Sequence, residues 1–146
     1  MKRLVAGALF RADEVLLVRR TASQNWYPSM WDLPGGEIEN AETEHEALIR
    51  ELREETGVVV SQIVTPAIGR LKGCGQDQVS VELSVWLVHS WHGKPTNNEP
   101  HKHDEVRWTA LSALATLDLA HPEYADLLAR AQSKSQCRVT ERVCDA

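Results

Sequence analysis

Glu51, Glu54 and Glu55 stand at i, i+3 and i+4 in a stretch of strong helix formers. That spacing puts three carboxylates on one helix face, within reach of one another. Like charges this close repel, and more so where water is excluded, so a dry cluster of this kind needs a cation. Carboxylate oxygens are hard ligands, and Mg²⁺ is commonly held by one or two of them while waters and substrate phosphates fill its octahedron. A solvated helix face paired with Arg50 and Arg53 would account for the same residues. The surroundings are more acidic still: eight glutamates and two arginines lie between Gly36 and Val58, a larger negative excess than the −5 of the whole chain.

The residues around this face form a longer pattern: Gly36, five residues, Glu42, seven residues, then Arg50-Glu51-Leu52-Arg53-Glu54-Glu55-Thr56-Gly57-Val58. This resembles the complete signature box of the Nudix hydrolase family. The preceding Trp31-Asp32-Leu33-Pro34-Gly35-Gly36 and the chain length are similar to small MutT-type members. The resemblance implies an α+β fold, an α/β/α sandwich with a mixed β-sheet between helices. It also implies Mg²⁺-dependent cleavage of a nucleoside diphosphate linked to a further group, with Mn²⁺ as a substitute. By resemblance, Glu54 and Glu55 are the principal metal ligands, and Glu51 joins the metal site or orients the attacking water. The carbonyl of Gly35 or Gly36 completes the shell, and Arg50 braces a carboxylate. Glu42 at the helix start and Gly57 at its end are structural. A further carboxylate outside the box is expected in the loop of Glu99, Asp104 and Glu105. Glu99, in Asn98-Glu99-Pro100, is the preferred candidate, while Asp104 and Glu105 would equally serve to cap a strand edge.

Family markers downstream of the box narrow the substrate class. The proline of ADP-ribose hydrolases is replaced by Gly73 and Cys74, and the tyrosine of diadenosine polyphosphate hydrolases by Gly75 and Gln76. The NADH and coenzyme A signatures are missing as well. Elimination leaves a nucleoside triphosphate, such as 8-oxo-dGTP, with a nucleotide sugar or another nucleoside-diphosphate derivative as the alternative. A non-catalytic nucleotide-binding module is the third reading, although relatives without activity usually lack box glutamates and none is missing here. Asp32 and Trp31 before the Pro-Gly-Gly, and His121 before Pro122, are the candidate substrate-binding residues. His121 stands near the base-reading asparagine of MutT-type enzymes, a departure that bears on strict 8-oxoguanine selectivity. Trp26, Tyr27, Trp31 and Trp86 could stack on a base or fill the core. His101 and His103, two apart on a polar loop, are expected to be solvated.

Positioning these groups requires a scaffold that the hydrophobic pattern outlines. Leu4–Phe10 and Val15–Arg20 read as a hairpin around a polar Arg11–Glu14 turn. Thr21–Ser29 reads as a loop, and Trp31–Leu33 as a short extended piece stopped by a tight turn at Pro34-Gly35-Gly36, where glycines tolerate positive φ. Glu42–Thr56 is the clearest helix, stopped by Gly57. Val58–Val60, Ile63–Arg70, Val79–His89 and Val106–Thr109 read as strands, Trp91–Asp104 as a loop and Pro122–Gln132 as a second helix. Strands and helices mix without regular alternation, which favours α+β over a doubly wound parallel sheet.

The chain has 146 residues, room for one domain, expected over 1–132 with a polar, flexible tail over 133–146. The acidic balance disfavours a nucleic-acid duplex as partner, and the resemblance implies a small-molecule nucleotide. Apolar stretches such as Leu4–Phe10 are far shorter than the roughly 20 residues of a membrane span, and Met1-Lys2-Arg3 leads into no signal-length core. A soluble, cytoplasmic protein is expected, its oligomeric state left open by the sequence. Cys74, Cys137 and Cys144 form no close pair and are read as reduced thiols.

Overall fold

The computed structural model describes residues 1–74 and 77–133. Eight strands and a helix follow in the order β1 (Lys2–Arg11), β2 (Glu14–Arg20), β3 (Trp31–Asp32), β4 (Gly35–Glu37), α1 (Glu44–Thr56), β5 (Val59–Ile63), β6 (Gly69–Cys74), β7 (Ser80–His92) and β8 (His103–Ala110). A 3₁₀ turn over Leu111–Thr116 comes next, and a second helix, α2, spans 124–133. The tail expected over 133–146 lies, from residue 134 on, outside the described residues, and with it Cys137 and Cys144. Gly75 and Gln76 lie outside them too. Cys74 is a free, exposed thiol. Among the described residues no helix is long and apolar enough to cross a membrane.

The sheet is mixed. β1 runs parallel to β7 over Lys2–Leu9, and the other pairings are antiparallel. Side chains alternate across it, so β1 sends Val5 and Leu9 to one face and Ala6 and Ala8 to the other. The first face packs on Ala47, Leu48 and Leu52 of α1, the second on Leu114 and on Tyr124, Leu127 and Leu128 of the C-terminal segment. Two cores on opposite faces of one sheet make the expected α/β/α sandwich. Being covered on both sides, the middle of β7 is buried from Leu83 to Val88.

The β1–β2 hairpin pairs only at its tip, through Phe10 with Val15 and Arg11 with Glu14. Beyond the tip the strands splay: β1 joins β4 and β7, while β2 joins β3 and β8. The open end of this fork, between Lys2–Ala6 and Arg20, is where the cleft described below lies.

Several local expectations are corrected. Pro34-Gly35-Gly36 is not a tight turn, because Gly35 and Gly36 open strand β4 along β1 and neither has a positive φ. These positions are small for a steric reason: a Cβ on Gly35 would strike the Val5 carbonyl and stand 2.7 Å from Ala6 Cα. The first helix starts at Glu44, capped by Thr43, whose hydroxyl accepts the Glu46 N–H while Glu46 returns to the Thr43 N–H. Glu42 therefore precedes the helix. Gly57 closes it with φ 77°. The strand expected over Ile63–Arg70 forms later, as β6, where only Leu71 is buried and the pattern is too polar to register. β7 and β8 extend into the expected Trp91–Asp104 loop.

Both atoms that block a side chain at Gly35 belong to the backbone of β1, so the Gly35→Ala variant must displace a strand. It is expected to lose on the order of 1–3 kcal/mol or more, read as a lower urea midpoint. An unchanged midpoint would show that β4 moves freely.

Candidate active site

A cleft of about 420 Å³ opens at the fork, lined at one end by Gly35, Gly36, Glu37, Glu51, Glu55, Lys102 and His103. β4 lies across the carboxylates. Gly35 N–H donates to Glu55 Oε1 at 2.7 Å, and a Cβ on Gly36 would stand 2.6 Å from both Glu51 oxygens. The second glycine is thus small because a buried carboxylate occupies the space.

Glu51 and Glu55 are 8% and 4% exposed, whereas the Glu54 side chain is half exposed. Arg50 is the cation of the cluster. Its Nε and Nη2 donate to Glu42 at 2.7 and 2.9 Å, Nη1 to Glu51 at 2.8 Å and to Glu54 at 3.3 Å, and Nη2 also to the Glu37 carbonyl at 3.0 Å. The paired bonds to Glu42 fix the guanidinium plane. Glu42 therefore serves as a bracket for Arg50 and not as a charge on the helix dipole. Its carboxyl is held down at about 2 by Arg50 and by the Glu39 N–H.

Burial pushes Glu51 upward against the pull of Arg50. Glu55 is pushed well above the usual carboxylate range by burial, opposed by the Gly35 N–H and reinforced by the charges of Glu51, Glu99 and Asp32. Crowded, dry carboxylates with one arginine among them suit a divalent cation. Among the described residues no group of three His, Cys, Asp or Glu side chains is arranged to hold a metal ion by itself.

The loop before β8 is tied to the end of α1, since Asn98 N–H donates to the Glu55 carbonyl and Thr96 N–H to that of Thr56, both at 3.0 Å. This brings Glu99 near Glu55, with Lys102 Nζ 3.0 Å from Glu99 Oε2. Asp104 and Glu105 are exposed on β8 and do not join the cluster. His103 differs from expectation: it is 3% exposed, with Nε2 3.3 Å from Glu55 Oε2. His101 is exposed as expected.

The other end of the cleft is lined by Arg20, Gln24, Asn25, Trp26, Tyr27, Asp32, His121 and Tyr124. Asp32 Oδ1 accepts the Tyr124 hydroxyl at 2.6 Å and the Leu33 N–H at 2.8 Å. Arg20 donates to the Trp26 carbonyl at 2.6 Å and to Gln24 at 3.3 Å, and Nη1 lies 3.7 Å from Asp32 Oδ2. Tyr27 and Tyr124 flank His121, with ring centroids 5.4 and 5.0 Å away. Burial lowers the His121 pKa, so the imidazole is neutral near pH 7. Trp31 is not in the lining; it is 7% exposed in the core, with Arg107 4.4 Å over its ring. Trp86 is likewise in the core, against His45. Lys102, His103, Arg20 and Tyr124 were not singled out from sequence as site residues. Only the inward Tyr124, one turn past His121, had a periodic signal.

The NUDIX domain family matches residues 1–131. The chain therefore belongs to the Nudix family and is a Nudix pyrophosphohydrolase. Among its relatives, the CTP pyrophosphohydrolase of Escherichia coli is 32% identical over 111 residues, covering 74% of this chain and 75% of the relative. The 8-oxo-dGTP diphosphatase of the same organism is 32% identical over 102 residues, covering 68% and 76%. A MutT NUDIX hydrolase from Burkholderia pseudomallei superposes with a TM-score of 0.70 at 25% identity, covering 83% of this chain and 88% of its own.

The Glu42 bracket has a pH signature. A carboxyl whose folded pKa of about 2 lies below its usual 4.5 stabilises the fold fully above about pH 4.5, and that contribution fades as pH falls toward 2. The Glu42→Gln variant is expected to melt below the wild type at pH 7, the gap closing between pH 4.5 and 2. A gap independent of pH would mean that the charge of Glu42 is immaterial.

Proposed function

We propose that this protein hydrolyses a nucleoside triphosphate, a (d)NTP or an oxidised dNTP such as 8-oxo-dGTP, to the monophosphate and pyrophosphate. One observation carries the reading: a single cleft joins the buried Glu51 and Glu55 carboxylates to a wall of aromatic and polar side chains. Its volume falls within the roughly 300–1,000 Å³ of small-molecule sites.

Glu51, Glu54, Glu55 and the Gly36 carbonyl are the groups that would hold Mg²⁺ or Mn²⁺. When bound, such an ion neutralises crowded phosphate oxygens and activates a water nucleophile. Arg50 bridges Glu51 and Glu54 and orients both, and Glu51, packed beneath Gly36, would orient the attacking water. Glu99, on the docked loop, is held by Lys102 near Glu55 and is the candidate for the further carboxylate. Lys2, Lys102 and Arg20 line the cleft and offset the charge of the phosphate chain. At the far end Trp26 and Tyr27 offer ring faces, while Asp32 and His121 present polar edges to the base. Two E. coli relatives named for CTP and 8-oxo-dGTP support a triphosphate, and their different bases leave the choice to this wall.

The Glu54→Gln variant should remain folded, since Gln suits a helix as well as Glu. Its kcat at saturating Mg²⁺ should fall by more than the roughly 10- to 100-fold that loss of an outer partner of a metal site causes. Near-normal kcat would remove Glu54 from the site. In parallel, a panel of dNTPs, oxidised dNTPs, CTP, ADP-ribose and nucleotide sugars, resolved by chromatography, tests the substrate. The expected products are monophosphate and pyrophosphate from a triphosphate. Diphosphate plus orthophosphate would contradict the proposed bond, and preferential turnover of nucleotide sugars would contradict the proposed class.

A further inference from the structure

Glu55 has a hydrogen bond at one oxygen and a close nitrogen at the other. Gly35 N–H reaches Oε1, and His103 Nε2 lies 3.3 Å from Oε2. The two nitrogens come from separate parts of the chain, β4 and the start of β8, and meet at a carboxylate on α1. His103 is aimed there by the strand register. It pairs with Arg20 across the irregularity between Arg19 and Arg20, and its side chain is buried while Asp104 and Glu105 beside it are exposed.

One feature shows that the imidazole is more than packing: His103 Nδ1 is buried with no hydrogen-bond partner. An apolar side chain in the same space would escape that desolvation penalty, so the position gains nothing from a polar ring except through Nε2. Nε2 is the nitrogen with an acceptor in reach, which assigns the proton there and leaves Nδ1 bare.

The geometry points to His103 as a positioning residue for Glu55: its Nε2–H, acting opposite the Gly35 N–H, sets the plane in which the carboxylate faces the cleft. Each Glu55 oxygen keeps a lone pair for an ion. Outer donors of this kind fix ligands at metal sites generally. The inference rests on the reading of Glu55 as a ligand of the divalent cation.

The test measures Mn²⁺ affinity by electron paramagnetic resonance, without nucleotide, in the full-length protein and three variants. His103→Met removes the donor at nearly constant volume, and His103→Gln keeps an N–H at similar reach. Glu55→Gln removes the ligand. His103→Met is expected to weaken Mn²⁺ binding by about 10- to 100-fold, with kcat recovering in excess Mn²⁺, while His103→Gln stays within a few-fold of wild type. Equal weakening in the Met and Gln variants, or none in either, overturns the role. Should the Met variant fail to fold, weakened binding in a folded Gln variant overturns it, and wild-type affinity there supports it. If Glu55→Gln loses Mn²⁺ and His103→Met does not, the His103 role alone falls. If Glu55→Gln binds Mn²⁺ as wild type does, the ligand reading falls and the inference with it.

Discussion

The structure depends on keeping two carboxylates, Glu51 and Glu55, nearly out of water on one face of a helix. Dry like charges are among the most unfavourable arrangements a small domain can hold, and the neighbouring elements answer to them. Arg50 lies between Glu51 and Glu54, and Glu42 leaves the helix to hold Arg50 in plane. β4 passes so close above that a methyl group at Gly36 would meet Glu51, while the neighbouring Gly35 spends its N–H on Glu55. The loop before β8 binds the last carbonyls of α1, a helix end already closed by Gly57, and carries Glu99, Lys102 and His103 to the same place.

The sheet supplies the space. A hairpin paired along its full length would leave no gap between β1 and β2. Here the two strands part after two residue pairs, because β1 is taken up by the parallel ladder to β7 and β2 by the ladder to β8. Apolar faces on both sides of the sheet hold each half against its own core, so the fork stays open at little cost in buried surface. The candidate site thus sits where the hydrogen-bond pattern changes partners, and the side chains lining the gap come from strand ends, loops and the two helices.

What the sequence made legible follows from how far each interaction reaches along the chain. The box is contiguous from Gly36 to Val58, so its helix, its glycine stop and its convergent carboxylates could be read from spacing alone. The sandwich followed from the family resemblance that this pattern carries. Misreadings arose where contacts are distant. Gly35 and Gly36 suggested a flexible turn because the obstacles to a side chain, Val5 and Glu51, lie far off in sequence. His103 resembled a loop histidine because its partner, Glu55, is on another element, and Trp31 resembled a stacking ring because only the folded chain shows it under Arg107. The sequence pattern places β6 too early in the chain, over Ile63–Arg70, since a strand with one buried residue has no hydrophobic period to fix its bounds.

The two ends of the cleft are therefore built by different rules. At the carboxylate end, most groups belong to one short segment and are locked to each other by charge, so changing one disturbs the rest. At the aromatic end, Arg20, Trp26, Asp32, His121 and Tyr124 come from separate strands, loops and the start of α2, joined by a few hydrogen bonds such as Tyr124 to Asp32 and Arg20 to the Trp26 carbonyl. A substitution among those residues alters the surface offered to a base while leaving Arg50 and its glutamates in place. On the proposed reading, bond cleavage and base selection are in this way mechanically separable, which agrees with relatives named for bases as different as cytosine and 8-oxoguanine.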